Sequence, residues 1–192
     1  MAKLHFYYSA MNAGKSTTLL QSSYNYNERG MDTLVLIPAL VGAHKVTSRI
    51  GLHTKAIPIS KEEDIYQLIK QSLDKNNNIK CVLVDEAQFL TKQHVQHLAQ
   101  VTNDFNLPVL AYGLRTDFMG EPFEGSKYLL ALADQLIEIK TICHCGRKAT
   151  MNLRVDEKGR VLREGEQVEI GGNERYVAVC RRHFNEGVIY GS

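Results

Sequence analysis

The sequence that organises this chain is Ser9-Ala10-Met11-Asn12-Ala13-Gly14-Lys15-Ser16, and it directly follows an apolar run at residues 4–8. It has the pattern of a phosphate-binding loop (P-loop), in which backbone N–H groups and a helix N-terminus surround nucleotide phosphates. We expect Lys15 to reach the β and γ oxygens and Ser16 to ligate Mg²⁺. Ser9 stands where the motif has glycine, although serine tolerates fewer backbone angles. The strand-like run before the loop and the helix-compatible run after it predict the strand, loop and helix that this mechanism requires.

The composition limits the classes of protein to consider. With 192 residues, the chain can form one well-buried domain and a small appendage. A hydrophobic fraction of 44% with 23% charged residues is typical of a soluble globular protein. A net charge of +2 gives no strong field for nucleic acid or a membrane surface, so we expect a small-molecule partner. Without a membrane-span or signal-peptide pattern, the predicted location is cytoplasmic.

The first 60 residues begin as a βαβ unit. The pattern predicts a buried strand at residues 3–8, a helix at 15–29 stopped by Gly30, and a strand at 33–37. From residue 39 to 57 the apolar period fails, which indicates a long mobile connection. Arg49 lies in it and has two interpretations, a cation that closes over the γ-phosphate or a solvated loop charge.

Alternating strands and helices continue to residue 139. Ser60 and Glu63 have the spacing of a capping box, which predicts a helix that ends at Asn76. A strand at residues 81–84, a helix at 92–105 and a strand at 109–113 follow, and then a helix at 126–133 and a strand at 135–139. We interpret Cys81 as core packing. The predicted fold is α/β, an open and mostly parallel sheet flanked by helices.

Two carboxylates follow the strand at residues 81–84. In P-loop enzymes an Asp at such a strand end holds Mg²⁺, and a second acidic residue orients or deprotonates the nucleophile. Asp85 and Glu86 fit these roles. The attacking group stays open at this point, since water would make the protein an ATPase and a bound hydroxyl would make it a kinase.

The loop after residue 113 carries Phe118 and Phe123 beside the expected active edge of the sheet. Two interpretations remain open for these phenylalanines. They could stack on a nucleobase, or they could anchor the loop to the core.

The last fifty residues form a second unit. Cys143 and Cys145 precede a hairpin-like stretch at residues 153–179, and Cys180 and His183 follow it. Two such pairs can supply the four tetrahedral ligands of a structural Zn²⁺ site. We favour these four residues, with His144 as the alternative ligand from the tight first pair. The predicted domains are a nucleotide-binding domain at residues 1–140 and a zinc-binding module at 141–192.

Five motifs in this order resemble the zinc-containing thymidine kinases of bacteria and animal cytosol. They are the P-loop with Met11 at its third position, Val84-Asp85-Glu86-Ala87-Gln88-Phe89, residues 112–118, the two metal pairs and residues 170–176. The resemblance covers nearly the whole chain and implies phosphorylation of the thymidine 5′-hydroxyl by ATP and Mg²⁺. It also implies a homotetramer and feedback inhibition by thymidine triphosphate. Because pocket volume near a methyl group discriminates weakly, we expect deoxyuridine to be accepted too.

The resemblance implies a role for each matching position. Glu86 falls on the base that takes the proton from the nucleoside 5′-hydroxyl. The implied nucleotide contacts are Ser9, Ala10, Met11, Asn12, Ala13, Gly14, Lys15, Ser16, Asp85, Glu86, Ala87 and Gln88. The implied thymine pocket uses Met11, Phe89, Leu114, Phe118 and Phe123. A loop of the zinc module (the lasso) that carries Gln167, Val168, Glu169, Ile170, Gly171 and Tyr176 would close over the nucleoside.

One segment departs from the family pattern. Leu40-Val41-Gly42-Ala43 replaces the acidic residue that family members carry shortly before an Arg, and Arg49 is the candidate to take over the phosphate contact. The alternative function is a nucleic-acid-stimulated P-loop ATPase with a zinc knuckle. The chain length leaves no room for a second motor domain, and the net charge gives no basic face. A regulatory GTPase would need an Asn-Lys-x-Asp motif, which the sequence lacks.

Overall fold

The computed structural model describes residues 1–168 and 175–190, which fold into an α/β sheet domain followed by a small β module. The strands in chain order are β1 (Leu4–Ser9), β2 (Asp32–Pro38), β3 (Lys45–Thr47), β4 (His53–Lys55), β5 (Ile57–Ile59), β6 (Ile79–Val84), β7 (Val109–Leu114), β8 (Gln135–Glu138), β9 (Met151–Val155), β10 (Val161–Leu162) and β11 (Tyr176–Val179). The helices are α1 (Lys15–Asn27), α2 (Ile65–Lys75), α3 (Lys92–Asp104), α4 (Glu124–Leu132) and α5 (Arg181–Glu186).

Six described strands form one sheet in the order β5-β2-β6-β7-β1-β8, and every neighbouring pair is parallel. The central strands are apolar on both faces because helices cover both faces. Apolar residues of α2, α3 and α4, such as Ile69, Leu98 and Leu129, pack on one face. Leu19 and Leu20 of α1 pack on the other face, together with Cys81, which is fully buried. The predicted fold class and the core role of Cys81 are confirmed.

The order of the central strands determines where the predicted site residues lie. β7 lies between β6 and β1, so the carboxyl ends of all three strands meet at one edge of the sheet. The P-loop follows β1, Asp85 follows β6, and Leu114 ends β7. Three segments that are distant in sequence therefore converge on one site.

The predicted capping box at the start of α2 was wrong. Asp64 is the N-cap, and its carboxylate accepts from the Gln67 backbone N–H. A capping box does occur at α3, where Thr91 and His94 exchange hydrogen bonds with each other's backbone. A His at the third helical position gives no capping-box signal, because that motif is defined by Glu or Gln there.

The connection at residues 39–57 is more ordered than its composition indicates. A short 3-10 turn at Ala39–Val41 precedes the antiparallel pair β3 and β4. Val46 of β3 is almost completely buried in the core below α1. β5 then extends the main sheet beside β2. Three-residue strands are too short to show an apolar alternation, so the sequence indicated only a loop.

Smaller corrections concern the ends of elements. The predicted helix at residues 15–29 ends at Asn27, and the helix predicted from residue 126 begins at Glu124. The hairpin-like stretch is a sheet of three described strands, in which β9 pairs antiparallel with both β10 and β11. Within the described residues, no helix combines the length and apolar character needed to cross a bilayer.

Candidate active site and metal centre

The P-loop begins at the end of β1 and wraps around the Lys15 ammonium. Lys15 Nζ donates to Ser9 Oγ at 3.0 Å and to the Ala10 carbonyl at 3.2 Å. Gly14 precedes α1 at φ +88°, a conformation that favours glycine, and Asn12 adopts φ +62°. Ser9 is not among the described residues with positive φ, so serine fits this position without backbone strain.

Burial dominates the electrostatics of Lys15. Desolvation lowers the pKa of its ammonium, while the nearby carboxylates of Glu86 and Asp85 raise it. A buried cation whose charge is only partly balanced by nearby carboxylates strongly attracts an anion that carries several negative charges. This part of the site can therefore hold a polyphosphate.

Ser16 and Asp85 join the P-loop to the end of β6. Ser16 Oγ donates to Asp85 Oδ2 at 3.2 Å, and Asp85 is buried. Burial and the adjacent Glu86 raise the pKa of Asp85 to about 7, against the stabilising effects of Ser16 and Lys15. A hydroxyl and a carboxylate are the oxygen donors that Mg²⁺ prefers. The two side chains thus fit a magnesium ion, which would offset the cost of the buried carboxylate.

The turn after Asp85 aims Glu86 at the site. Glu86 adopts φ +50°, a region that residues other than glycine rarely occupy, and its side chain is half-buried. Gln88 Nε2 donates to Glu86 Oε2, and Gln88 Oε1 accepts from the Leu114 backbone N–H. Such backbone strain concentrates at functional sites, where the surroundings hold it in place. The Glu86 carboxylate is therefore held in a fixed orientation.

Two glycines let this turn approach its neighbours closely. A Cβ on Gly125 of α4 would lie 2.3 Å from the Ala87 carbonyl oxygen. A Cβ on Gly113 of β7 would lie 2.8 Å from the Gln88 backbone nitrogen. Both distances are shorter than any real contact, so only glycine permits this packing. Neither glycine was predicted to belong to the site.

A cleft of about 530 Å³ opens between the P-loop, the end of β6, the loop after β7 and the small module. The predicted site residues that line it are Met11, Asn12, Gly14, Lys15, Ser16, Arg49, Glu86, Gln88, Phe89, Leu114, Phe118, Phe123, Gln167, Val168 and Tyr176. Ser9, Ala10, Asp85 and Ala87 are buried behind this surface, and Ala13 lies in the loop outside the lining. The predicted residues Glu169, Ile170 and Gly171 lie outside the described residues.

The loop after β7 is fastened to its surroundings. Phe118 and Phe123 are almost fully buried, and the Phe123 ring packs edge-on against Phe89 with centroids 5.5 Å apart. Both phenylalanines thus anchor the loop, and they also present part of their surface to the cleft. The Arg154 guanidinium lies 4.8 Å from the centre of the Phe118 ring.

The start of the lasso is tied to the same loop. Gln167 Nε2 donates to Asp117 Oδ2 at 2.9 Å, and Arg154 Nη1 donates to the Glu166 carbonyl at 2.9 Å. Asp117 is buried, and its other oxygen accepts from the backbone N–H groups of Met119 and Glu121. These bonds hold the lasso entrance beside the cleft.

Sequence reasoning missed several lining residues. The cleft is also lined by Thr17, Leu40, Val41, Thr47, Ser48, Thr116, Asp117 and Asn152. Leu40 and Val41 belong to the segment that departs from the family pattern, so the departure lies directly on the cleft. Asn152 lies in β9, and its contacts to Met11 and Thr116 are made across the two units of the chain. No local sequence pattern marks such long-range contacts.

Four side chains of the module converge on one point. The Sγ atoms of Cys143, Cys145 and Cys180 and a ring nitrogen of His183 all lie within 4.8 Å of one another. Cys143 Sγ is 3.3 Å from His183 Nδ1, and the Sγ atoms of Cys145 and Cys180 are 3.9 Å apart. A tetrahedral ion with Zn–S bonds of about 2.3 Å needs ligand separations near about 3.8 Å. The donor set and its geometry fit zinc.

The surroundings of Cys143 favour its thiolate form. Burial opposes ionisation of Cys143, but hydrogen bonds from the backbone of Cys145 and Cys180 and from His183 lower its pKa to about 6. A thiolate is the form that binds metal. His144, the alternative ligand, is not part of this group of four, but its Nδ1 lies 3.7 Å from Cys143 Sγ and its ring stacks on that of His183 with centroids 4.3 Å apart. A small core that includes Leu153, Val179 and Phe184 packs beside the cluster.

Comparison with known proteins gives one consistent result. The family model described as thymidine kinase matches residues 2–184. The thymidine kinase of Coxiella burnetii is 68% identical over 190 residues, which cover 97% of this chain and 97% of that protein. The thymidine kinase of Rhodopirellula baltica is 60% identical over 191 residues, with 98% and 90% of the two chains covered. That of Mannheimia succiniciproducens is 60% identical over 189 residues, with 97% and 96% covered.

Proposed function

The chain belongs to the thymidine kinase family, whose function is the phosphorylation of thymidine, and we propose that the cleft transfers the γ-phosphoryl group of ATP to the thymidine 5′-hydroxyl. The observation that carries the assignment of this site is that Lys15 and Glu86 line one cleft, with Asp85 buried directly behind it, and that the lasso entrance lines the same cleft. A cation, a metal-binding carboxylate and a base are the parts that phosphoryl transfer to a hydroxyl needs.

The donor end of the cleft is the P-loop. Backbone N–H groups of the loop and the Lys15 ammonium would hold the phosphates, and Ser16 and Asp85 would hold Mg²⁺. When bound, Mg²⁺ supplies charge that stabilises the transferring phosphoryl group. Arg49 is proposed as a further phosphate contact, supported by its position on the cleft wall beside Asn12. The other P-loop positions and Ala87 act through their backbone and packing.

The acceptor end requires a base. We assign Glu86 to take the proton of the thymidine 5′-hydroxyl as that oxygen bonds to the γ-phosphorus and the bond to the ADP oxygen breaks. The hydrogen bond from Gln88 and the strained backbone would keep the carboxylate aimed at the acceptor. A strained backbone at a residue that lines an open cleft fits a functional role for Glu86 better than a purely structural one.

The nucleoside would lie against the apolar part of the cleft. Met11, Phe89, Leu114, Phe118 and Phe123 supply that surface, and Gln167, Val168 and Tyr176 border it from the module. Glu169, Ile170 and Gly171 remain proposed contacts on the basis of the family resemblance. Since a methyl group changes binding by only about 1–3 kcal/mol, we propose that deoxyuridine is also accepted.

Zinc is proposed to close the lasso at its base. Two ligands precede the loop and two follow it, so the bound ion would supply a cross-link that ties both ends of the lasso together. We also propose a cytoplasmic location, because zinc ligation needs thiols that a reducing compartment keeps from forming disulfides. A homotetramer and feedback inhibition by thymidine triphosphate are proposed from the resemblance alone.

One assay tests the proposal and its rival. The zinc-loaded protein is incubated with Mg²⁺ and γ-labelled ATP, and with thymidine, deoxyuridine, other nucleosides, DNA or RNA in separate reactions. Label in thymidine monophosphate supports the kinase. Release of phosphate that depends on DNA or RNA, with no labelled nucleotide, would instead support the nucleic-acid-stimulated ATPase.

A further inference from the structure

Asn152 occupies an unusual place between the two units of the chain. It lies in β9 of the zinc-binding module and is 2% exposed. Its side chain points away from the small core that the next residue, Leu153, fills, because neighbouring residues of a strand face opposite sides. The Asn152 amide therefore faces the nucleotide-binding domain from a strand that belongs to the module.

Both ends of that amide are engaged by residues that line the cleft. The Met11 backbone N–H donates to Asn152 Oδ1 at 2.8 Å, and Asn152 Nδ2 donates to the Thr116 carbonyl at 3.2 Å. Met11 belongs to the P-loop, and Thr116 belongs to the loop that carries Phe118 and borders the nucleoside end. One side chain thus bridges the donor and acceptor ends of the cleft.

We propose that Asn152 is a positioning residue that sets the distance between the phosphoryl donor and the nucleoside acceptor by holding the Met11 amide and the Thr116 carbonyl in one fixed relation. This inference rests on the proposed function of the cleft. It assigns Asn152 no contact with the reacting atoms.

The chemistry of asparagine suits this role. The amide has an acceptor and a donor in one rigid plane, so it can satisfy a backbone N–H and a backbone carbonyl at once. The strand that carries it is itself held, because Asn152 pairs with Ala178 of β11 in the module sheet. Phosphoryl transfer depends mainly on alignment, and a misplacement of about 1 Å can reduce a rate about 100-fold. Loss of the bridge should therefore affect the chemical step more than binding.

Two variants separate hydrogen bonding from packing. Asn152→Ala removes the amide, and Asn152→Leu removes it while keeping the number and branching of the side-chain heavy atoms. We expect kcat to fall about 10-fold to 100-fold in both, with dissociation constants for thymidine and for a non-hydrolysable ATP analogue within about threefold of wild type. Lys158→Ala, an exposed change on the turn between β9 and β10, is the control and should leave all values unchanged. Zinc content and thermal unfolding are measured for every variant.

A readout without turnover tests the bridge directly. Hydrogen–deuterium exchange of a peptide that contains Met11 should be faster in both variants than in wild type, because the Met11 amide loses its acceptor. Unchanged exchange at Met11, or an Asn152→Leu enzyme as active as wild type, would overturn the proposal. Reduced stability or zinc content with unchanged kcat per folded molecule would also overturn it. If the wild-type protein made no thymidine monophosphate, the proposed function would fail, and the exchange experiment would still decide whether Asn152 holds Met11.

Discussion

Arg49 Nη2 donates to Asn12 Oδ1 at 2.6 Å, so the hairpin of β3 and β4 is fastened to the P-loop. Arg49 lies at the tip of that hairpin, where Ser48 and Leu52 exchange hydrogen bonds that close the turn. The base of the hairpin is fixed by Val46, which is buried beneath α1. These contacts hold the exposed Arg49 guanidinium beside the P-loop at one end of the cleft.

Arg49→Ala should lower kcat/KM about 10-fold to 100-fold, with a higher KM for ATP, because a guanidinium pairs strongly with phosphate oxygens. Steady-state kinetics with ATP as the varied substrate measure this effect. Lys45→Ala on the same hairpin is the matched control, since Lys45 is exposed and absent from the cleft lining. Equal kinetics for Arg49→Ala and wild type would show that Arg49 is a solvated loop charge.

Glu86→Gln should lower kcat about 10²-fold to 10⁴-fold while the affinities for ATP and thymidine change little. Glutamine can still accept the hydrogen bond from Gln88 but cannot take the proton of the 5′-hydroxyl. Single-turnover kinetics separate the chemical step from product release. Glu62→Gln, a change at an exposed position before α2, serves as the control, and a fully active Glu86→Gln enzyme would place the base elsewhere.

Asp85 should make the metal-free protein less stable as the pH rises. Burial and Glu86 raise the pKa of Asp85 in the folded protein from 3.8 to about 7. Between these values the folded chain keeps a proton that the unfolded chain releases, so the free energy of unfolding falls with increasing pH through this window and is level above it.

Asp85→Asn removes that titration, and its Tm relative to wild type should be higher at about pH 8 than at about pH 5 when Mg²⁺ and nucleotide are absent. Thermal unfolding at the two pH values measures the difference. Asp156→Asn is the comparison. The Asp156 carboxyl accepts hydrogen bonds, first from the Arg160 backbone, and these lower its pKa, whereas the pKa of Asp85 is raised. A Tm difference between Asp85→Asn and wild type that did not change with pH would contradict the expectation.

Zinc removal should weaken thymidine binding more than ATP binding. The ligands flank the lasso, so a loop without its metal must be ordered by the nucleoside, and the apparent affinity falls accordingly. The expected loss is about tenfold or more for thymidine and about threefold or less for ATP, measured by titration of chelated protein and of Cys180→Ser. Equal losses would indicate global unfolding, and no loss would show that the cluster is not structural zinc.

The parts of the site that could be predicted follow from strand ends. A P-loop after one apolar run and Asp85-Glu86 after another imply a shared edge, because the carboxyl ends of parallel strands meet there. The Cys/His cluster was predictable because Cys143, Cys145, Cys180 and His183 form two short-range pairs in the sequence. In each case the chemistry is carried by residues that are close in sequence.

The parts that could not be predicted depend on tertiary contacts. Asn152 and Met11 are separated by most of the chain, and nothing near either residue signals the bond between them. In the sequence Gly125 indicates only a helix position where glycine mildly lowers helix stability. Its missing Cβ is what allows the Ala87 carbonyl to approach α4. Thr91 and His94 form a cap that the usual pattern does not include. Side chains whose partner is a distant backbone atom leave no periodic trace in sequence.

The register between β1 and β8 has a consequence for how this enzyme can change in evolution. Tyr8 is the partner of Glu138, so the chain leaves the sheet for the zinc-binding module beside the residue before the P-loop. Any segment spliced in after β8 would start its path next to the P-loop, whatever its own structure. Exchange of this segment between relatives would therefore change one wall of the cleft and leave the P-loop, Asp85 and Glu86 unchanged.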